Sequence, residues 1–296
     1  MTLAADGRFD LNNNNETVAS IAGAGGLITL GSATLTTGDV ANTAFAGNIQ
    51  GTGGVTKLGT GIWTLSGNNT YLGATAVNAG TLLAGSTTAL AGTSAFTVAT
   101  NSILDLGGFN NSIGSLAGAG PNSFVQTTGA NATLTTGGDG TSTSYAGILR
   151  DVGAAKLSLT KVGAGAQLLS GLNTYTGTTT VTGGSLSAGA ANTYSANSAV
   201  VVNAGTLDLS GFNNTILSLA GVGGTVTSVA AATLTFGDAN NLTFNGNIVN
   251  GLSTLGITKV GTGIEILRGI NTYTGPTTVN AGTLQAGSTT AFGTNS

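Results

Sequence analysis

Apolar and polar residues alternate along this chain in short bursts. Stretches such as GLITL (Gly26–Leu30), ATLTT (Ala33–Thr37), SAFTV (Ser94–Val98), AVVVNAGTLDL (Ala199–Leu209) and GTVTSV (Gly224–Val229) mix Leu, Ile, Val or Phe with Thr and Ser. A period of two puts one residue set on each face of an extended strand, and Thr, Val and Ile favour that conformation. Gly, Asn and Asp close each burst, which is turn chemistry. Helices are nearly excluded, because glycine interrupts most windows and the remainder carry Asn, Thr and Val. Strands this short bury no core singly, so each needs a neighbour on either side.

The bursts recur in a fixed order. NNTYLGATAVNAGTLLAG (Asn68–Gly85) returns as LNTYTGTTTVTGGSLSAG (Leu172–Gly189) and INTYTGPTTVNAGTLQAG (Ile270–Gly287). This places Tyr71, Tyr175 and Tyr273 at spacings of 104 and 98 residues. TKLGTG, TKVGAG and TKVGTG place Lys57, Lys161 and Lys259 at the same spacings. Upstream phrases bring Asp39, Asp139 and Asp238, and a further set brings Asp10, Asp105 and Asp208. One continuous fragment over 1–296 therefore divides into super-repeats 17–110, 111–213 and 214–296, the last truncated. Length varies mainly before each lysine: 12 residues from Phe45 to Lys57, 16 from Tyr145 to Lys161 and 15 from Phe244 to Lys259. These insertions, with Arg150, Asp151 and Lys156 in the second, read as a variable loop on a fixed scaffold.

Repetition of short strands predicts an all-β solenoid, a single-stranded parallel β-helix whose coils stack about 4.8 Å apart around an apolar column. Asp39 precedes Lys57 by 18 residues, Asp139 precedes Lys161 by 22 and Asp238 precedes Lys259 by 21. A coil of roughly 20 residues brings each pair together on adjacent turns as a surface ion pair, gives about 15 turns, and makes a rod on the order of 70 Å long. The pairs Asn68-Asn69, Asn110-Asn111 and Asn213-Asn214 are expected at left-handed turns. The three tyrosines are expected to pack across a corner. Trp63, Gln167 and Glu265 share one repeat position, as do Ser66, Ser170 and Arg268; such variety predicts an outward-facing site.

Composition narrows the chemistry. Charged residues are 6% of the chain, against roughly 25% in ordinary globular proteins. With 40% hydrophobic residues it is no disordered chain. There is no cysteine and no histidine, which removes disulfides, thiolate metal sites and the usual general base. A net charge of −3 with seven scattered basic residues argues against nucleic acid. No run of apolar residues is long enough for a membrane-spanning helix. The acidic residues are repeat copies set several turns apart or scattered singly, so no carboxylate pair for glycoside chemistry is expected. TTGGDGTS (Thr135–Ser142) is a glycine-aspartate turn without the repeated nonapeptides of a calcium roll. TLT recurs once per super-repeat, at Thr34, Thr133 and Thr233, too rarely for an ice-binding array. Trp63, taken as half exposed, is a weak candidate for stacking on a sugar. No cofactor is expected.

The stretch Gly53–Gly85, with its two later copies, resembles the passenger-associated repeat of bacterial autotransporters. The combination of T-K-x-G-x-G, S-G-x-N-T-Y-x-G and V-x-x-G-x-L carries the resemblance. It implies a right-handed parallel β-helix within a secreted passenger, displayed at the outer membrane of a Gram-negative bacterium through a translocator. The repeat would serve as a stalk and in passage across that membrane, with no enzymatic activity. The sequence shows neither a signal peptide nor a translocator barrel, so it reads as an interior piece, begun by an added Met1. Two alternatives stand beside the stalk: an adhesin module that contacts a cell surface or glycan through loops near Arg150 or Glu265, and a fibre that self-associates head to tail through open β-helix ends.

Overall fold

A computed structural model describes residues 1–293. Residues 294–296, the end of the third super-repeat, lie outside the described residues. The fold is all-β: parallel strands stack as a β-solenoid of about 14 turns, close to the number that the sequence predicts. The chain forms two compact units, Met1–Leu157 and Ser158–Ser296.

In the first unit one sheet runs through eight strands, from Thr2–Leu3 to Ile148–Asp151. A second contains Glu16–Val18, Leu35–Thr37, Val55–Lys57, Thr75–Val77, Ala95–Val98 and Ser115–Ala117. A third, of three strands, contains Arg8–Asp10, Leu27–Thr29 and Asn48–Gln50. In the second unit Ala166–Leu169, Ser185–Ala188, Thr206–Asp208 and Thr225–Thr227 follow one another in one sheet. Asn214–Thr215, Ala232–Phe236, Leu255–Lys259 and Thr277–Val279 form another. Partner residues on adjacent coils mostly lie 19 to 24 positions apart, from Leu65 opposite Ala84 to Val125 opposite Leu149, and 27 at the bridge of Gly118 to Tyr145. The coil length inferred from the Asp–Lys spacing is thus correct.

Alternation does what the pattern requires. In Leu35–Thr37, Val55–Lys57 and Thr75–Val77 the outer two residues point inward and the middle one faces out. Register holds like over like: Leu35, Val55, Thr75, Phe96 and Leu116 form one inward column, and Leu82, Leu104, Val125 and Leu149 another. The second unit repeats this with Leu186, Leu207, Val226 and Ile248. Each buried aliphatic side chain contributes about 1.5–3 kcal/mol, but only because the coils above and below exclude water.

Corners are set by aspartate. Asp10, Asp39, Asp105, Asp139, Asp208 and Asp238 each accept a hydrogen bond from the backbone N–H two residues later, at 2.7–3.0 Å. The side chain thus closes a local turn. The glycine ahead of Asp39 is needed sterically. Gly38 has φ +125°, and a Cβ there would overlap the Leu58 carbonyl of the next coil.

The asparagine pairs do not sit in left-handed turns; the non-glycine residues with positive φ are Asn12, Asn13, Asn101, Asn122, Asn192 and Ser210. Except at Asn68, their side chains bridge coils instead. Asn110 accepts from the Thr133 N–H at 2.8 Å and Asn213 from the Thr233 N–H at 2.8 Å. Asn111 accepts from the Leu90 N–H at 3.1 Å and Asn214 from the Tyr194 N–H at 3.1 Å. An amide that can both donate and accept relieves backbone groups stranded where a coil turns.

Candidate functional site

Each copy of the repeated phrase builds the same buried clasp between neighbouring coils. Its first component is the lysine. Lys57, Lys161 and Lys259 are inward residues, each 1% exposed. The Lys57 ammonium donates to the carbonyls of Leu58 at 2.6 Å, Gly59 at 2.8 Å and, one coil on, Ala79 at 3.1 Å. Lys161 does the same with Val162, Gly163 and Gly183, and Lys259 with Val260, Gly261 and Ala281. The glycine of T-K-x-G makes this possible. Gly59, Gly163 and Gly261 have φ of +67°, +65° and +68°, a left-handed bend that only glycine takes without strain and that turns the corner carbonyls toward the ammonium.

This overturns the surface ion pair. Lys57 and Lys259 are inside, meeting carbonyl oxygens rather than carboxylates, while Asp39 and Asp238 are occupied in closing their own turns. Burial lowers the Lys57 pKa, and the through-space field of Asp39 opposes that shift without a contact. A buried ammonium is tolerated because its three donors are met by backbone acceptors. On the surface Arg8 and Asp10 form an ion pair at 3.1 Å.

The second component is the asparagine of N-T-Y. Asn69 accepts from the Ile49 N–H on the coil before at 2.9 Å and donates to the Ala89 carbonyl on the coil after at 2.6 Å. Asn271 repeats this with Ile248 and Ala291, and Asn173 donates to Thr193. The third component is the tyrosine. Tyr71, Tyr175 and Tyr273 are fully buried, and their hydroxyls share hydrogen bonds with Thr75, Thr179 and Thr277, four residues on. In the first two copies a serine extends the chain. Thr75 bonds Ser94, which donates to the Gly73 carbonyl; Thr179 bonds Ser198, which donates to Gly177. Desolvation pushes the Tyr71 and Tyr175 hydroxyls up to about 12, so both keep their protons.

The Trp63, Gln167 and Glu265 position faces inward, not outward: the three are 1%, 2% and 2% exposed. The variety reflects a core slot that accepts several shapes, and Trp63 is not available to stack on a sugar. Burial pushes the Glu265 carboxyl up to about 8; the Lys259 ammonium lowers it and the Asp238 carboxylate raises it. Arg150 is likewise no free loop residue. It lies on the strand Ile148–Asp151, stacks 3.5 Å from the centre of the Phe124 ring and donates twice to Gln126, whose amide donates to Asp105. The insertion itself turns over an antiparallel bridge between Val152 and Ala155, closed by Asp151 accepting from the Leu157 N–H at 2.7 Å. At Thr135–Ser142, Asp139 accepts from both the N–H and the hydroxyl of Thr141.

The clasp is wholly internal and holds no pair of acids poised around an open space. Its chemistry is the fastening of one coil to the next. The clasp segments coincide with a known family: residues 55–84, 159–188 and 257–286 match the passenger-associated-transport-repeat. The three copies are passenger-associated transport repeats. The chain is also 39% identical over 262 residues to the adhesin BmaC autotransporter of Brucella suis biovar 1 (strain 1330). That similarity takes in 84% of this chain but 7% of the relative's length. Two contributors to the clasp went unremarked in the sequence, the threonine four places after each tyrosine and the serine of the first two copies; the N-T-Y asparagine was noted at Asn69, but as a turn residue. The signal was present as constant spacing, Tyr71 to Thr75, Tyr175 to Thr179 and Tyr273 to Thr277.

Proposed function

We propose that this chain is a stalk segment of a secreted passenger, displayed at the surface of a Gram-negative bacterium, with super-repeats 17–110, 111–213 and 214–296 as its building units. The observation that carries this reading is the triplicate clasp. A buried lysine and asparagine are spent in every copy on joining coils, with a buried tyrosine bonded beside them, and none is presented to a ligand or substrate. Such a device serves length and rigidity, and the reading involves no catalysis. It also fits passage through a membrane as an unfolded chain, because each coil gains stability only when the next is laid on it.

The test is display. The segment is placed between a signal peptide and a translocator barrel, and surface protease resistance is measured on intact cells. Wild type is expected to appear as a resistant fragment; Lys57→Met, Lys161→Met and Lys259→Met together should give a chain that is degraded or retained. Equal display and resistance in the triple variant would defeat the reading. A second reading, contact with a host surface, is favoured by the relative's designation as an adhesin.

A further inference from the structure

The first copy carries a surface feature that the clasp does not explain. Four adjacent coils of the first unit form an open groove of about 270 Å³, bordered by Asn68, Thr87, Asn110, Ser112 and Thr135. Its floor is Leu90 and Gly92. No charged residue lines it. Much of its hydrogen-bonding capacity is unused. Asn110 spends its carbonyl on the Thr133 N–H but leaves its amide N–H₂ free, while the Asn68 side chain and the Thr87 and Ser112 hydroxyls have no protein partner. Hydroxyls and carboxamides can each donate and accept. A wall of such groups, uncharged and spread over four coils, matches a ligand of dense neutral hydroxyls.

The other copies show that part of this wall is not required by the fold: Asn110 and Ser112 have polar counterparts in Asn213 and Thr215, and Thr87 in Thr289 of the third copy, but other positions differ. Aligned on the clasp, Asn68 corresponds to Leu172 and Ile270, Thr87 to Ala191, and Gly92 to Ala196. Leu172 and Ile270 are 63% and 66% exposed, apolar where the first copy is polar. At Gly92 a Cβ would stand 3.8 Å from the Ser112 Cβ, an ordinary contact. The glycine is therefore not demanded by packing, and its effect is to leave the floor open.

We propose that the groove at Asn68, Thr87, Asn110 and Ser112 is a binding site for a neutral glycan segment of one or two sugar rings. Its volume of about 270 Å³ falls just below the range usual for small-molecule sites, which sets that length. The lack of charge selects against sialylated, sulfated and uronic glycans. The proposal is independent of the stalk reading: a stalk without glycan affinity, or a glycan-binding segment displayed by other means, would separate the two.

The test takes the whole chain, fluorescently labelled, onto an array of neutral hexose and N-acetylhexosamine oligosaccharides with their sialylated and sulfated counterparts. The wild type should bind neutral members in preference to charged ones. Asn68→Leu, Thr87→Ala and Gly92→Ala together install the second copy's residues and should reduce that binding at least tenfold, with an unchanged circular dichroism spectrum. Thr87→Ala alone, at an exposed residue, should weaken it measurably and guards against misfolding of the triple variant. Absence of binding to every neutral glycan, preference for the charged ones, or undiminished binding by both variants would each overturn the proposal.

Discussion

The first and third copies differ most at one inward position. Trp63 sits between Thr43 on the coil before and Leu82 on the coil after; Glu265 sits between Leu242 and Leu284. Both are buried, and each leaves one polar atom unpartnered, the Trp63 indole Nε1 and the Glu265 Oε1. Bulk has moved between coils: a large ring beside a small threonine in one copy, a smaller acid beside a leucine in the other. What the column conserves is filled volume and electrical neutrality rather than residue identity. A parallel solenoid core is read layer by layer, so a change in one coil can be absorbed by its neighbour. The acid still carries a penalty that the indole does not, because Glu265 must stay protonated to remain inside.

That penalty gives the largest expected effect. The Glu265 carboxyl is held at about 8 in the folded state against an ordinary value of 4.5, so the folded form binds the proton more tightly. Its contribution is fully present below about 4.5 and is lost as pH rises to about 8, a decline on the order of 5 kcal/mol. Amide protection, taken relative to the intrinsic exchange rate at each pH, should fall through the coils around Ile264–Leu267 over that window, and Glu265→Gln should remove most of the slope. A flat profile would mean that Glu265 is solvated. Trp63→Ala should cost about 3–5 kcal/mol through the cavity it leaves, with no pH dependence of its own; a loss below 1 kcal/mol in chemical unfolding would place the indole outside the core. Lys57→Met should cost about 2–4 kcal/mol by stranding the Leu58, Gly59 and Ala79 carbonyls. Tyr71→Phe, which removes one hydroxyl from a chain whose Thr75 still bonds Ser94, should cost about 1 kcal/mol in the same assay.

Strand, turn and coil length were legible in the residues because period-two alternation and a repeated register are local signals. The burial of Lys57 was not. A lysine among threonines reads as a solvated charge, and only the left-handed bend at Gly59 shows that three carbonyls converge on it. The slot at Trp63, Gln167 and Glu265 was misread for a related reason. Chemical variety normally marks a surface, but in stacked coils the neighbour on the adjacent coil can compensate, and that neighbour lies 19 to 23 positions off in sequence. The six aspartates were visible as repeats, yet spacing alone could not tell a contact across coils from a turn closed two residues ahead. The asparagine pairs failed in the opposite sense, being taken for local turns when they reach across coils.

The central claim is that the repeated phrase fastens coil to coil from within. Residue-resolved hydrogen exchange on Asn69→Ala tests it directly, since Asn69 holds the Ile49 N–H on one side and the Ala89 carbonyl on the other. Loss of protection on both neighbouring coils, around Ile49 and around Ala89, with the clasps at Asn173 and Asn271 unaffected, is the predicted result. Protection lost only within Asn69's own coil, or not at all, would contradict the account.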